Sequence, residues 1–273
     1  MGSSKKKWAA CIVYYDDPKS LTNLLYSLEK QTLKPSLVVI ADNNSRQKFK
    51  LKDYSFPITL IEKETNTGFA GGANVAIRFA IQKEFTNLIL LSQDVILESE
   101  SAEKLMLQIN ISGGIVFPTM MDRNSNRVFS KGGKVSKFWG SIKLSTKGNL
   151  IDADWADGSC LAFKSETYMS VNSFSELYFM YFEDVDFCIR AKQKGFKLTH
   201  VSTIASQTPK GPNPELRSRN SVLLARKSES TLFKLSVTIR NILGAYVLFA
   251  RFRFKDSTNR FIGIYEGWKL KID

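Results

Sequence analysis

Hydrophobic and polar positions in the first half of the chain alternate between short apolar runs and stripes at helical spacing. Residues 9–15 (AACIVYY) and 37–41 (LVVIA) are continuous apolar runs of the kind found in strands buried on both faces. Shorter runs follow at residues 58–61 and 88–91. Between the runs, apolar residues recur three and four positions apart, as one face of a helix requires: Leu21, Leu24, Leu25 and Leu28, then Ala76, Ile77, Ala80 and Ile81. This alternation predicts an α/β domain with a mostly parallel sheet flanked by helices.

Polar clusters follow three of the predicted strands directly. They are Asp42 with Asn43, residues 66–72 (NTGFAGG), and Gln93 with Asp94. Ligands of parallel α/β sheets lie beyond the carboxyl ends of the strands, so these clusters mark a candidate binding edge. Any one of them could be a simple turn, but three in succession favour a site. The sequence contains no Walker A motif, and no dinucleotide-binding glycine pattern follows the first strand.

Beyond residue 110 the pattern changes to short, irregular strands separated by glycine turns. Residues 160–163 and 197–204 are predicted as strands of this second half. The turns are expected at residues 113–114, 132–133 and 148–149.

The stretch from Phe179 to Arg190 joins four apolar residues to three carboxylates, those of Glu183, Asp184 and Asp186. A helical pattern begins at the carboxylates and ends at Gly195. The acids therefore fall in the first helical turn, where free N–H groups and the helix dipole favour negative charge. Ordinary helix capping accounts for such a turn. The preceding apolar residues favour the alternative, in which the carboxylates line a buried wall where a general base is needed.

The C-terminal quarter is predicted to be helical and basic. Pro209, Pro212 and Pro214 indicate a linker, so we divide the chain into residues 1–210 and 211–273. Residues 217–254 favour helix, and one of its faces is apolar: Leu232, Leu235, Ile239, Ile242, Leu243 and Tyr246. Basic amphipathic helices of this kind lie on anionic membrane surfaces. Packing of the same helix on the domain is an equally weighted alternative.

Hydrophobic content and net charge indicate the size of the domain and the kinds of partner that the protein can bind. The chain has 273 residues, 43% of them hydrophobic, which is enough for the core of one large domain with a tail. Its formal net charge is +13, and residues 211–273 carry twelve Lys or Arg against five Asp or Glu. Such an excess permits nucleic acid, anionic lipid or phosphorylated substrates as partners. Nucleic acid is disfavoured, because no recognition motif accompanies the basic residues.

Cysteine usage and the hydropathy profile predict a cytosolic protein. Cys11, Cys160 and Cys188 are scattered within apolar runs and lack metal-ligand spacing, which is typical of reduced core thiols. The first residues are polar and do not resemble a signal peptide. No uninterrupted apolar run approaches the roughly 18 residues that a membrane span requires.

Taken in order, these segments resemble glycosyltransferase family 2, with the GT-A fold, and within it the bacterial rhamnosyltransferase-like branch. The resemblance covers roughly residues 9–210, and the tail more weakly. Each segment is a weak signal alone, and their shared order makes the resemblance specific. The matching segments are residues 41–45 (ADNNS, family VDNxS), 66–74 (NTGFAGGAN, family NxGFAGGNN, with Ala73 for an asparagine), 90–94 (LLSQD, family LLNPD), 155–158 (WADG, family W..G), 179–190 (FMYFEDVDFCIR, family FMYFEDVDLCLR) and Arg219–Asn220 (family RN).

The resemblance implies an inverting hexosyltransferase that uses a nucleoside-diphosphate sugar. By family position Asp184 is the general base for the acceptor hydroxyl, and Glu183 orients it or contacts the acceptor. Asp42 would accept from the imide N–H of a uracil or thymine, while the glycines let backbone approach the donor. The implied donor site is Asp42, Asn43, Asn66, Gly68, Gly71, Gly72 and Gln93, and the implied acceptor site is Trp155, Asp157 and Gly158.

The resemblance also implies a divalent cation, Mg²⁺ or Mn²⁺, held by Asp94 and neutralising the leaving diphosphate. The sequence departs from the family at one further ligand, often a histidine, whose place falls on Gln207 or Thr208. The single histidine, His200, lies within a predicted strand and is interpreted as structural. This departure puts the metal requirement in question.

The predicted function is transfer of rhamnose from dTDP-rhamnose to a growing cell-surface polysaccharide. The acceptor would be lipid-linked, at the cytoplasmic face of the cell membrane. Residues 263–267 (GIYEG) weakly match the branch's C-terminal pattern GixdG, which favours rhamnose. UDP-galactofuranose, UDP-glucose or another UDP-hexose stays open as the donor. The alternative from a different class is a degenerate, non-catalytic homologue that binds glycan or nucleotide.

Overall fold

The computed structural model describes residues 7–146, 153–209, 211 and 213–272. Eleven strands occur in this part of the chain: β1 Ala9–Tyr14, β2 Leu37–Asp42, β3 Ile58–Glu62, β4 Asn87–Ser92, β5 Ile96–Leu97, β6 Ile115–Asp122, β7 Arg127–Ser130, β8 Gly133–Ser136, β9 Ser141–Leu144, β10 Cys160–Lys164 and β11 Leu198–Gln207. The α-helices of the same part are α1 Pro18–Glu29, α2 Gly68–Gln82, α3 Ser101–Ser112, α4 Ser165–Ser170, α5 Glu183–Gln193, α6 Pro214–Lys227, α7 Thr231–Ala250 and α8 Phe254–Lys269.

Nine strands form one mixed sheet in the order β3-β2-β1-β4-β10-β6-β11-β5, with β7 paired to β6. Strands β3, β2, β1 and β4 are mutually parallel, and β11 is parallel to β6. The predicted α/β sheet is therefore confirmed. Strand β10 runs antiparallel between β4 and β6.

The register of β10 brings a distant segment to the candidate edge. Tyr14 pairs with Asp42, so β1 and β2 end together. Because β10 is antiparallel and Cys160 pairs with Leu91, the residues before β10 lie at the carboxyl end of β4. The backbone N–H of Ser92 donates to the Ser159 carbonyl at 2.9 Å.

Two hydrophobic layers cover the sheet. Residues 9, 11 and 13 of β1 face a core shared with α2 and α5, and residues 10, 12 and 14 face α1 and α3. The three cysteines lie buried and unpaired in these layers, as predicted. Helix α6 adds Leu223 and Leu224 to the α2 and α5 core.

The helical tendency predicted for residues 217–254 is confirmed, and the chain divides there: α6 ends at Lys227, α7 spans Thr231–Ala250, and α8 begins at Phe254. Pro214 stands at the first position of α6 behind the Asn213 cap, so it begins a helix and is not part of a linker. Ser230 caps α7 by accepting from the Phe233 N–H at 3.2 Å. The turn before α8 places Phe252 at φ +59°. Pro212, the turn at residues 148–149 and the lysines at 5 and 6 lie outside the described residues.

Helix α8 crosses α6 at very close range. A Cβ on Gly263 would overlap the Glu215 carbonyl, and one on Gly267 would lie 2.6 Å from the Arg219 carbonyl. The two glycines of residues 263–267 are thus explained by helix packing, since only glycine lets the backbones approach this closely.

Helix α7 is long and apolar enough to cross a membrane by length and composition, with a mean hydropathy of 1.4. The helix is not an uninterrupted apolar run, because Lys234, Arg240 and Asn241 lie within it.

Candidate active site

Asn43, directly after β2, makes a hydrogen bond to the first residue of α2. Its Nδ2 donates to the Gly68 carbonyl at 2.7 Å, and a Cβ on Gly72 would lie 3.0 Å from that Nδ2. The Oδ1 atom of Asn43 is buried and has no hydrogen-bond partner within the described residues. Asp42 beside it is buried and accepts from the Ser45 N–H at 2.8 Å. The structure therefore brings the first two predicted donor clusters together.

Gly68 occupies a position that only glycine fits. Its φ is +73°, and a Cβ there would overlap the carbonyl oxygen of Phe179. Asn66 Oδ1 accepts from the Gly68 N–H at 2.9 Å and shapes the turn. Gly71 packs against the side chain of Thr67, where a Cβ would also overlap. This glycine turn contacts the loop that leads to the carboxylates.

The loop before α5 is strained. Phe179, Tyr181 and Phe182 have φ values of +60°, +70° and +72°. Non-glycine residues rarely adopt this region, and such strain persists only where the surroundings impose it. It sets the direction in which α5 and its carboxylates leave the loop.

Asn220 and Arg219 of α6 hold the strained loop from behind. Asn220 Nδ2 lies 2.8 Å from each of three loop carbonyls, and Arg219 Nη2 donates to the Tyr178 carbonyl at 2.8 Å. The three carbonyls are those of Tyr178, Met180 and Tyr181. The sequence resemblance named this Arg–Asn pair but not its role. An asparagine inside a helix was the available signal, because its side chain usually prefers caps and turns.

Asp184 accepts two backbone hydrogen bonds at the start of α5. Gly158 N–H donates to Oδ2 at 2.9 Å, and Val185 N–H donates to Oδ1 at 2.8 Å. Burial, followed by the negative charge of Asp157, raises the pKa of Asp184 to about 7. Burial and the Asp184 charge raise the pKa of Glu183 well above its ordinary value. Glu183 Oε2 is buried without a partner in the described part of the chain.

The charge of Asp157 interacts with those of two predicted site residues, Asp94 and Asp184. Its Oδ1 accepts from the Ser159 N–H at 2.9 Å. Burial raises the pKa of Asp157, and the charge of Asp94 contributes in the same direction. Asp94, Asp157 and Asp184 thus belong to one acidic edge.

Asp94 and Gln93 follow β4 and have different surroundings. Asp94 Oδ1 accepts from Gln207 Nε2 at 2.8 Å, so Gln207 and not Thr208 stands at the predicted metal ligand. Gln93 exchanges two hydrogen bonds with the Tyr15 backbone, at 2.6 and 2.9 Å. No group of three or more His, Cys, Asp or Glu that could hold a metal occurs among the residues described. Among the described residues, Asp94 is the carboxylate that stands at the predicted metal position.

Asp186 serves the architecture of the helix start. It accepts from Tyr178 at 3.1 Å and forms ion pairs with Arg190 at 2.7 Å and Lys227 at 2.8 Å. Because Lys227 belongs to α6, this buried network ties α5 to the C-terminal helices.

Two other residues named from the sequence lie apart from these contacts. Trp155 is buried in the hydrophobic core against Gly133, where its indole N–H has no partner within the described chain. His200 Nε2 lies 2.9 Å from Thr119 Oγ1, and burial lowers the pKa of this imidazole. An acceptor role for Trp155 therefore stays a prediction.

Known proteins that are similar to this chain are glycosyltransferases. The family model described as Glycosyl transferase family 2 matches residues 9–165. The low-salt glycan biosynthesis hexosyltransferase Agl10 of Haloferax volcanii is 24% identical over 61% of this chain and 56% of its own. The dTDP-rhamnosyl transferase RfbF of Shigella flexneri is 26% identical over 71% of this chain and 65% of its own. The chain thus spans less than two thirds of the length of each of these relatives.

Solved structures show the same fold. The crystal structure of S. aureus TarS 1-349 in complex with UDP has a TM-score of 0.56 and 18% identity. That match covers 98% of this chain and 75% of the TarS chain. A longer TarS structure has a TM-score of 0.59 over 91% of this chain and 44% of its own. These likenesses confirm the GT-A fold predicted from the sequence.

Proposed function

This chain belongs to glycosyl transferase family 2, and we propose that it transfers rhamnose from dTDP-rhamnose to a growing, lipid-linked cell-surface glycan. The observation that carries the transfer reaction is the Gly158–Asp184 hydrogen bond, which holds a carboxylate of pKa about 7 at the acidic edge. Similarity to RfbF, whose name specifies dTDP-rhamnose, supports the choice of sugar.

The donor nucleotide would bind at the ends of β1 and β2. Asp42 would accept from the imide of the base, and Asn43 Oδ1, which has no hydrogen-bond partner within the described residues, would accept from a ligand hydroxyl. The three glycines of residues 68–72 let this turn pack closely against neighbouring protein segments, which shapes the wall that the donor would contact. These roles extend the sequence prediction to two buried side chains, those of Asp42 and Asn43.

Asp184 would act as the general base. It takes the proton of the acceptor hydroxyl while that oxygen bonds to the anomeric carbon, and the nucleoside diphosphate leaves with the electron pair of the broken bond. The single displacement inverts the anomeric centre. A base with a pKa near the working pH combines the ionised form with useful basicity. Glu183, whose pKa burial and the Asp184 charge raise well above its ordinary value, would position the acceptor by hydrogen bonding.

Asp94 would hold a divalent cation. When bound, such a cation neutralises charge on the leaving diphosphate. The donor set fits an ion completed by donor phosphates and water, because Mg²⁺ is commonly bound by one or two carboxylates with substrate phosphates. Gln207 supplies an amide where the family often has a histidine. We place the reaction at the inner face of the cell membrane, which the basic C-terminal helices support.

Asp184→Asn tests the base. We expect turnover to be lost while donor binding, measured by calorimetry, is retained, since the amide keeps the shape but cannot take the proton. Asp53→Asn, at an exposed aspartate of the loop before β3, should leave both unchanged. Residual activity in Asp184→Asn equal to that of the wild type would refute the assignment.

A thermal-shift panel tests the donor. The compounds are dTDP-rhamnose, UDP-galactofuranose, UDP-glucose and UDP, each with and without Mg²⁺ or Mn²⁺. A ligand that binds only the folded protein raises its apparent stability by mass action. We expect the largest, metal-dependent shift with dTDP-rhamnose. A larger rise in melting temperature with a uridine compound would identify that compound as the donor in place of dTDP-rhamnose. No rise with any compound would favour the degenerate homologue.

A further inference from the structure

Helix α7 carries an apolar stripe on the side opposite to the face that it buries. The buried side is formed by residues four apart: Phe233, Val237, Asn241 and Ala245. The exposed stripe consists of Leu232, Leu235, Ile239, Leu243 and Tyr246. The sequence pattern alone left open whether this stripe packs on the domain. In the structure Ile242 of the predicted apolar face packs against the core of the C-terminal helices, whereas the five stripe residues are exposed. An exposed apolar surface of this extent marks an interaction site.

The tip of the β8–β9 hairpin lies beside the stripe. Phe138 and Trp139 are both exposed and contact each other edge to face at 4.9 Å. The Ser236 hydroxyl of α7 donates to the Phe138 carbonyl at 2.8 Å, which places the tip next to Leu235. No feature of the sequence predicted that this hairpin joins the C-terminal helices.

The turn between α7 and α8 extends the surface with aromatic side chains. Phe249 and Phe252 both contact Phe254 edge to face, at 5.0 and 6.1 Å. Tyr246 of the stripe contacts Phe261 of α8 at 5.6 Å. We call the α7 stripe, the hairpin tip and this aromatic turn together the apolar face.

Exposed cations surround the apolar face. They are Lys137, Arg240, Arg251, Arg253, Lys255 and Lys269. The acids described on α7 and α8 are Asp256, which pairs with Arg253 at 2.6 Å, and the exposed Glu266. An apolar surface with a basic rim is complementary to the acyl boundary and headgroups of an anionic lipid bilayer.

We infer that the apolar face inserts into the headgroup region of an anionic bilayer, with α7 lying along the membrane surface. The inference deepens the membrane location proposed above and rests on it. The basic rim argues against a second copy as the occupant, since a twofold contact would bring like charges together.

The buried side of α7 argues against a transmembrane helix. Asn241 Nδ2 donates to Ser221 Oγ of α6 at 2.9 Å, and its Oδ1 accepts from Arg260 of α8 at 3.2 Å. Crossing a bilayer would break these contacts and expose polar groups to lipid. The same helix α6 holds the strained loop through Asn220, so a membrane-bound α7 keeps the active site close to a lipid-linked acceptor.

Vesicle flotation of the full chain tests the inference. The vesicles are phosphatidylcholine alone, or phosphatidylcholine with about 30% phosphatidylglycerol. We expect binding to the anionic vesicles, with the double variant Trp139→Ser/Leu243→Ser lowering the partition coefficient about tenfold or more. Leu107→Ser/Ile111→Ser on α3 is the matched control and should bind like the wild type. The exposures match, at 70% and 59% for the first pair and 64% and 71% for the second.

Equal loss of vesicle binding in both double variants would overturn the inference, as would no binding by the wild type. Resistance of the bound protein to extraction by alkaline carbonate, which indicates a spanning helix, would overturn it too. A dimer in solution that Trp139→Ser/Leu243→Ser converts to monomer would also overturn it. Turnover of a soluble acceptor analogue separates the two proposals. Normal turnover without vesicle binding would refute membrane insertion and leave the proposed transfer reaction intact. Vesicle binding without turnover would count against the transfer reaction.

Discussion

The backbone N–H of Gly158 donates to Oδ2 of Asp184 at 2.9 Å, joining the segment before β10 to the first turn of α5. A Cβ on residue 158 would lie 2.9 Å from the Asp184 Cβ, closer than real side chains come. The orientation of the carboxylate therefore depends on the absence of a side chain at a residue far away in the sequence.

Gly158→Ala should displace Asp184 and lower kcat by about tenfold or more, because small misplacements of a catalytic group are costly. Donor affinity should change little, since Gly158 does not touch the glycine turn. Steady-state kinetics and donor calorimetry measure the two effects. Gly211→Ala is the control, as a Cβ there meets nothing within 4 Å. A lost donor affinity with unchanged kcat would contradict the prediction.

The pH dependence of kcat/KM, which reports ionisations of the free enzyme, should show an acidic limb near pH 7, because Asp184 must be ionised to act as a base and its pKa is about 7. In Asp157→Asn the limb should move to lower pH, since removing a neighbouring negative charge favours the ionised carboxylate. A pH–rate profile of both proteins measures the midpoint. An unmoved midpoint would mean that Asp157 does not influence the base.

Asp184 should also make the free energy of unfolding depend on pH. Its pKa is raised in the folded state, so between about pH 4 and 7 the folded protein binds more protons than the unfolded chain. Stability contributed by this group therefore falls as pH rises through that window. Relative to the wild type, the free energy of unfolding of Asp184→Asn should rise by roughly 4 kcal/mol at pH 8 compared with pH 4. Urea titrations at both pH values check the difference, and a loss at pH 8 would contradict it.

Asn220→Ala should release the strained loop before α5. We expect a loss of about 1–3 kcal/mol in the free energy of unfolding, because the carbonyls of Met180 and Tyr181 lose this donor, while the Tyr178 carbonyl keeps that of Arg219. Turnover per folded molecule should fall as well. Asn241→Ala, at a buried asparagine of α7 away from the loop, should lower stability but keep turnover. Equal loss of turnover in both variants would contradict a specific role of Asn220 in holding the loop.

Gly68→Ala and Gly195→Ala separate backbone strain from close contact. Both glycines have positive φ, +73° and +87°, so each alanine should cost about 1 kcal/mol of stability. Only at Gly68 would the added Cβ overlap another segment, the Phe179 carbonyl. We expect Gly68→Ala to cost about 3 kcal/mol or more and to weaken donor binding. Similar melting temperatures for the two variants would argue against the close contact.

The sequence determined six of the nine strands of the main sheet and the positions of the polar residues that follow them. Runs such as residues 9–15 and 37–41 are apolar on both faces, a local pattern that specifies buried strands wherever they sit in the fold. The same local order placed Asp42 and Asp94 after strands, hence at one edge of a parallel sheet. The carboxylates of α5 were likewise identified from their own neighbourhood.

The tertiary structure decided every relationship between distant segments. The antiparallel insertion of β10, which brings Asp157 and Gly158 to the edge, depends on strand pairing that no local pattern encodes. So does the choice of Gln207 over Thr208 beside Asp94, because a one-residue shift in β11 reverses which side chain faces the site. The apolar stripe of α7 has the same sequence pattern whether it packs inward or faces outward. Only the packing of Phe233, Val237, Asn241 and Ala245 on the opposite side leaves that stripe exposed.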